Sequence, residues 1–238
     1  MDKVLGSNLL TAPANRTLSD LVAEQLRQAI LDGRLQPGQR VVEDDIARAM
    51  QMSRGPVRDA LRMLENECLV VRFPHRGSFV AWLTLQDAEE IYSLREALET
   101  LAVDYTIRYA TDAQIDELDQ IVTQMLAQLK AGYTQLQATE LDLEFHHALC
   151  RISGHSRVLT AWTALYGQVR LLLLTHRIYQ PLDFRERGAA WHQDLVQALR
   201  KRDTALAHQV LHAHLTISYD SVAEAIRLGK AGSPPYEV

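Results

Sequence analysis

Residues 53–64 read Ser-Arg-Gly-Pro-Val-Arg-Asp-Ala-Leu-Arg-Met-Leu, and no other stretch of the chain narrows the fold as much. Ser53 suits an N-cap, and Pro56 falls in the first turn, where its missing N–H costs little. Arg54, Arg58 and Arg62 recur every four residues and so line one face of a helix. Val57, Ala60, Leu61 and Leu64 form the opposite, apolar face. A surface helix with solvated arginines satisfies this pattern. So does a helix held in a DNA major groove, where guanidinium groups fork onto guanine edges or grip phosphates.

The flanks favour the second reading. Upstream, Glu43 to Met50 has the pattern of a short helix with Ile46, Ala47 and Met50 on one side, and Gln51-Met52 makes a tight connection to Ser53. Downstream, Leu69 to Phe73 and Gly77 to Ala81 are strand-type runs, joined by Pro74-His75-Arg76 as a hairpin. From Thr17 to Leu31, Leu18, Val22, Leu26, Ala29 and Ile30 repeat at helical spacing, and Asp32-Gly33 stops that helix. Residues 16–81 are therefore expected to form a winged helix-turn-helix, with the first helix packed behind the recognition helix. Residues 1–15, weakly patterned, are expected to be a loose arm.

The run from Ser53 to Leu61, followed by Arg76-Gly77-Ser78-Phe79-Val80 and preceded by Leu35-Gln36-Pro37-Gly38, resembles the DNA-binding domain of the GntR family of bacterial transcription regulators. The resemblance implies contact with double-stranded DNA through Ser53, Arg54, Gly55, Arg58, Arg62, Arg76 and Gly77. Two positions depart from the family pattern. Asp44 stands near a place where some relatives carry a basic DNA contact, and Cys68 stands where a glycine is usual before the wing.

The whole chain carries a net charge of −5, an odd balance for a DNA binder. Residues 16–80, however, hold 10 Lys/Arg against 9 Asp/Glu, while residues 81–238 hold 14 against 20. A small basic face on an acidic protein favours site-directed, dimeric binding over general coating of nucleic acid. The longest purely aliphatic run, Leu171 to Leu174, is far too short to cross a bilayer, and the N-terminus lacks a basic-then-apolar leader. Cys68 and Cys150, far apart and each beside apolar residues, are expected to be buried thiols in a reducing cytoplasm.

Beyond Thr84 the pattern is helical throughout. Thr84 with Asp87, and Thr111 with Gln114, have capping-box spacing. Six amphipathic helices are expected: to about Tyr109, to about Ala131, from about Thr139 to Ser153, from Ser156 to about Tyr179, from about Asp183 to Lys201, and from Asp203 to about Leu228. On the first, Ile91, Leu94, Leu98, Leu101, Ala102 and Tyr105 are expected inward. Short joins make residues 84–228 an antiparallel six-helix bundle, and residues 229–238 a flexible tail. The fold class is thus mainly α.

Asp142 and His146, four apart, project from one helix face. With His192 and His214 from two further helices they can close on one divalent ion in the bundle core. His147 and His212 compete for two of these places, and His155, His176 and His208 have no evident partner. Nine histidines on long helices also give some Asp-to-His spacings by chance, so spacing alone favours ordinary buried histidines over an ion site.

Asp142-Leu143-Glu144-Phe145-His146-His147-Ala148-Leu149, Ser153-Gly154-His155, Trp191-His192 and His214-Leu215 together resemble the FCD ligand-binding domain that marks the FadR-type branch of the GntR family. The resemblance implies that Asp142, His146, His192 and His214 bind a divalent metal with an effector against it. Abundance favours zinc; nickel and manganese are compatible. Arg95 and Glu99 lie four apart near the buried stripe, and in the family the corresponding arginine tends to face the pocket. A guanidinium beside a metal suits a small carboxylate effector. Arg95, Glu99 and Arg170 are the candidate effector-binding residues.

The function implied is a DNA-binding transcription regulator, expected to be a homodimeric repressor on a palindromic operator, with no membrane association. Two alternatives stand beside it. One is a metal-dependent hydrolase or lyase on a helical bundle with an attached DNA-binding module, but no general base or nucleophile stands beside the ligands; Glu144 lies two residues from Asp142, hence on another face. The other is an interaction module whose metal only holds helices together.

Overall fold

Thr17 opens the first helix with a reciprocal cap. Its hydroxyl accepts the Asp20 N–H, and Asp20 accepts the Thr17 N–H at 2.8 Å. This computed structural model describes residues 16–132, 135–179 and 185–228, so the expected arm, the expected tail and the first residues of the expected fifth bundle helix lie outside it. Helix α1 (Leu18–Leu31) buries Val22, Ala23, Leu26 and Ile30. α2 (Glu43–Ala49) and α3 (Arg54–Asn66) follow, joined through Gln51 in the left-handed region at φ 52°. α1 lies behind α3, and Arg27 grips Glu67 just beyond α3 with a two-pronged fork of 2.6 and 2.7 Å. Val57, Ala60, Leu61 and Leu64 of α3 are fully buried, as their spacing requires. Ser53 holds the N-cap position with extended backbone, but its side chain caps nothing.

The wing is β2 (Val70–Phe73) paired antiparallel with β3 (Gly77–Val80), in a register that sets Val70 opposite Val80 and Phe73 opposite Gly77. A third strand, β1 (Arg40–Val41), pairs with the other edge of β3. Two residues are too few to show alternation, so this strand has no signature in the sequence. Cys68 sits at φ 56° in the turn before the wing, a conformation that favours glycine, and it is exposed. The expectation of two buried thiols therefore holds for Cys150 alone. At the left-handed turn Cys68 faces outward while Leu69 goes into the core.

Among the described residues six helices follow: α4 (Leu85–Tyr109), α5 (Asp112–Ala131), α6 (Gln135–Ile152), α7 (Ser156–Tyr179), α8 (Arg185–Arg200) and α9 (Thr204–Leu228). Both expected capping boxes form, at Thr84 and Thr111. α6 starts earlier than its periodicity suggests. Phe145, Leu149, Trp162, Leu172, Leu199 and Leu215 are among the side chains of the shared core. Of the inward face expected on α4, Ile91 and Ala102 are buried and Leu98 packs against the core, but two leucines differ. On α4, Leu94 and Leu101 point outward, 48% and 37% exposed, while Arg95 and Glu99 lie inside at 0%. The inward stripe runs through Ala88, Tyr92, Arg95, Glu99, Val103 and Thr106, because α6, α7 and α9 all meet that side. A charged pair, Arg95 Nε donating to Glu99, lies on the buried side in place of those two leucines.

The two modules meet along α7. Leu171 of α7 is buried in the apolar core of the N-terminal module, and Gly167 lies so near Leu69 that a Cβ there would come within 3.3 Å of a Leu69 methyl.

Candidate functional site

Four side chains from three bundle helices converge. Asp142 and His146 stand one turn apart on α6, His192 projects from α8, and His214 from α9. The His146 Nε2 lies 3.0 Å from His214 Nε2 and 3.3 Å from His192 Nε2, and Asp142 Oδ1 lies 3.3 to 3.8 Å from all three. Donors about 2.0–2.1 Å from a common ion stand about 2.9–3.4 Å apart for angles between square and tetrahedral. The imidazole distances and that from Asp142 to His192 fall in this range, while Asp142 stands a few tenths of an ångström too far from His146 and His214 and would have to draw in on an ion shared by the four. His146 and His192 are buried at 2% or less, and Asp142 keeps partial access.

Hydrogen bonding behind the rings decides what these nitrogens can do. The His146 Nδ1 faces Glu99 Oε2 at 2.6 Å, and the His192 Nδ1 faces the Gly188 carbonyl, one turn back on α8, at 2.6 Å. A carbonyl or an ionised carboxylate only accepts, so both Nδ1 atoms carry the ring proton and both Nε2 lone pairs point into the cluster. Burial, and then Arg95, lowers the His146 pKa; burial pushes that of His214 down to about 4. Both rings are therefore neutral at neutral pH. Neutral imidazoles with convergent lone pairs and a carboxylate are a donor set for a divalent cation.

Beside the cluster, Arg95 is wholly buried. Its Nε donates to Glu99 Oε1 at 2.7 Å, and its Nη2 lies 4.0 Å from Asp142 Oδ2. Among the described residues neither Nη atom has a hydrogen-bond partner, nor does His214 Nδ1. Burial raises the Glu99 pKa, but the charges of Arg95 and His146 and their hydrogen bonds together outweigh it and hold the carboxyl well below its ordinary value. Glu99 also accepts the Trp162 indole N–H at 2.8 Å. Both its oxygens are thus occupied by chain groups, whereas Arg95 presents an unused pair of donors.

Arg170 is not brought to this cluster. On α7, it pairs with Glu140 of α6 and reaches Asp32, the residue that closes α1, at 3.9 Å. Four other histidines have separate partners: His208 meets Asp104 at 2.8 Å, His212 pairs with Glu96, His147 lies against Trp162, and the His155 Nδ1 accepts the Val158 N–H at the start of α7. The His176 side chain lies outside the described residues.

At the opposite end, Arg54, Arg58 and Arg62 stand exposed along α3. Each faces a carboxylate. Arg54 Nε meets Asp44 at 2.7 Å, Arg58 approaches Glu43 at 3.5 Å, and Arg62 approaches Asp59 at 3.6 Å. Glu43 lies also 3.9 Å from Arg72 of the wing. A Cβ on Gly55 would meet only the Ser53 hydroxyl, so the start of α3 is open to an approaching backbone. Gly77 takes φ 100° where β3 begins, and Arg76 precedes it at the exposed hairpin tip. No helix among the described residues is long and apolar enough to cross a membrane.

Comparison with known proteins agrees with this layout. Residues 18–80 match the model of bacterial regulatory proteins, gntR family, and residues 90–216 match that of the FCD domain. An HTH-type transcriptional regulator from an unstable DNA locus of Streptomyces ambofaciens is 34% identical over 210 residues, spanning 85% of this chain and 84% of its own. The gluconate operon transcriptional repressor of Bacillus subtilis is 28% identical over 206 residues, 85% of this chain and 84% of that protein. Among solved structures, a GntR transcriptional regulator from Rhodococcus sp. RHA1 superposes with a TM-score of 0.70 at 26% identity, covering 87% of this chain and 98% of that one. The Escherichia coli protein McbR/YncC shares the fold, with a TM-score of 0.73 at 21% identity over 88% of this chain and 99% of its own.

Proposed function

This chain belongs to the gntR family of bacterial regulatory proteins, with an FCD domain behind its helix-turn-helix, and from that premise we propose that a small carboxylate bound beside a divalent metal controls its grip on DNA. It is a DNA-binding transcription regulator. We assign it to repression, the role of the gluconate operon repressor and the probable role of the similar D-xylose utilisation operon regulator of Paenarthrobacter nicotinovorans. A homodimer in the cytoplasm, reading the two halves of a palindrome, is the assembly proposed.

Convergence of three Nε2 atoms, two of them with lone pairs freed by acceptors behind the rings, and one carboxylate carries the metal assignment. Asp142, His146, His192 and His214 would hold the ion, zinc by abundance, with nickel or manganese also compatible. Bound there, the ion supplies a Lewis-acidic position for an effector oxygen. Arg95 then offers its two unpartnered Nη atoms to the same carboxylate as a bidentate fork. Glu99 stands behind both as a support.

For the DNA side, Ser53, Gly55 and Gly77 are assigned to phosphate approach, and Arg54, Arg58, Arg62 and Arg76 to base or backbone contact. Helices α6 and α7 link the cluster to this module. Glu140 lies two residues before Asp142 on α6, Arg170 joins it to Asp32, and α7 carries Leu171 into the N-terminal core. An effector that favours one placement of α6 over another would shift α1, and with it the DNA-binding module.

Elemental analysis of the purified protein, paired with operator-binding titrations against a panel of small hydroxy and dicarboxylic acids, tests the proposal. Stoichiometric divalent metal and release of DNA by one acid class are expected. A metal-free protein whose DNA affinity ignores every acid would overturn it.

A further inference from the structure

Behind the ligand set stands one carboxylate that three helices share. Glu99, on α4, takes Arg95 Nε at 2.7 Å and Trp162 Nε1 at 2.8 Å on Oε1, and the His146 ring on Oε2 at 2.6 Å. All three partners are buried, and Glu99 is itself wholly excluded from solvent. Water therefore does not compete for either oxygen.

We propose that Glu99 is a positioning residue: it fixes His146 as the Nδ1–H tautomer with Nε2 free to bind metal, and through Oε1 it aims the Arg95 donors at the same place. This assignment rests on the metal and effector reading above. The chemistry is directional. Arg Nε and Trp Nε1 only donate, so Oε1 must accept from both, and that fixes the orientation of the whole group. The remaining oxygen can then meet His146 Nδ1 only as an acceptor of its ring proton. A ring with its proton on Nδ1 has its lone pair on Nε2, the atom that lies 3.0 and 3.3 Å from the other two imidazoles. His192 reaches the same state by a local route, through the Gly188 carbonyl of its own helix. His146 needs a group from another helix, 47 positions earlier in the chain.

Glu99→Gln is the informative variant, because it keeps the shape and reverses one bond. Arg95 and Trp162 still require an oxygen at the Oε1 position, so the new amide nitrogen must face His146. That nitrogen donates, the ring must accept at Nδ1, and the proton moves to Nε2, where it blocks coordination. Outer partners of ligating histidines are commonly worth about 10–100-fold in metal affinity.

The test uses the full-length protein, stripped with chelator, with 15N-labelled histidine; the His146 ring signals are those lost in His146→Gln. Wild type should show His146 as Nδ1–H, and Glu99→Gln should show it as Nε2–H. Zinc affinity, measured in competition with a chromophoric chelator, should fall about 10–100-fold in the variant. A support role through packing alone would lower the melting temperature and leave the tautomer unchanged. Glu99→Gln with the wild-type tautomer and wild-type zinc affinity would overturn the proposal. If Glu99→Gln does not fold, the wild-type spectrum decides, and an Nε2–H ring there overturns it equally. A wild type that binds no metal would sink the metal reading instead, while the tautomer still reports on the bond between Glu99 and His146.

Discussion

Arg170 of α7 lies 3.9 Å from Asp32, the residue that closes α1, while its side chain is only 8% exposed and also pairs with Glu140 of α6. One guanidinium thus stands between two carboxylates from different modules. Like charges would face each other without it. Burial followed by the nearby Asp32 raises the Glu140 pKa, and Arg170 opposes that rise.

Arg170→Leu should therefore destabilise the protein and weaken communication between its halves. Removing one partner of a fully buried pair costs about 3–5 kcal/mol. Both carboxylates here are more than a third exposed, so the expected loss is smaller, about 1–2 kcal/mol. Urea unfolding measures it, and operator titration with and without effector measures the coupling. Unchanged stability together with an unchanged effector response would make Arg170 a bystander.

At the DNA-binding end, Arg54→Ala and Arg58→Ala should each weaken specific operator binding by about 1–3 kcal/mol if they read base edges. Asp44→Asn should act in the opposite direction on non-specific DNA. It frees Arg54 from its 2.7 Å partner and removes a negative charge from the contact face, so affinity rises and the salt dependence steepens. Fluorescence anisotropy at several salt concentrations distinguishes these effects. Operator affinity indifferent to both arginine changes at fixed salt would mean that α3 is not the reading helix.

Replacing Arg95 has consequences for folding as well as for effector response. Arg95→Met leaves the Glu99 carboxylate buried without its cation, and about 3–5 kcal/mol of stability should be lost. Arg95→Lys keeps the charge but loses the paired Nη donors. It should fold and bind operator while its release by acid is blunted. A chemical denaturation series on the two variants, with operator release measured for Arg95→Lys, checks the expectation; full effector sensitivity in Arg95→Lys would remove the fork from the reading.

Metal removal should be felt as lost stability, because three helices contribute ligands to one point. Chelator should lower the melting temperature of wild type, and added zinc should restore it. His192→Ala and His214→Ala should hold less metal and respond less to both treatments. Wild-type and variant proteins that melt alike with and without chelator would return these rings to the status of ordinary buried histidines.

Cys68 allows a simpler check on the turn before the wing. At φ 56° it pays the penalty of a side chain in the left-handed region. Cys68→Gly relieves it, although glycine also loosens the unfolded chain, so a net gain of roughly 0.5–1 kcal/mol is expected. A loss of stability in thermal melts would place some other role on the thiol.

Local patterns in the sequence were readable where the physics is local. The capping boxes at Thr84 and Thr111, the buried face of α3, and the one-turn spacing of Asp142 and His146 are all relations within a few residues of one helix. What escaped is set by partners from elsewhere. Leu94 and Leu101 looked inward because leucines usually are, yet which side of α4 faces the bundle depends on α6, α7 and α9. The apposition of Glu99 with His146, and of Arg170 with Asp32, joins distant parts of the chain. Arg95 and Glu99 did leave a trace: a one-turn Arg-to-Glu pair on the same face as Tyr92 and Val103 is a charge pair among buried neighbours. β1 left none.

Leu171 extends from the helical bundle into the apolar interior of the winged module. Exchange of modules between relatives is therefore constrained at this seam. A winged module grafted onto a foreign bundle would keep its own fold pattern but inherit a socket shaped for a leucine it no longer receives, and a bundle given a foreign reader would carry an aliphatic plug with nowhere to seat. Recombinants that swap at the Ala81–Leu83 junction should work only when the residue equivalent to Leu171 travels with the reader, which makes α7, rather than the linker, the true boundary of inheritance.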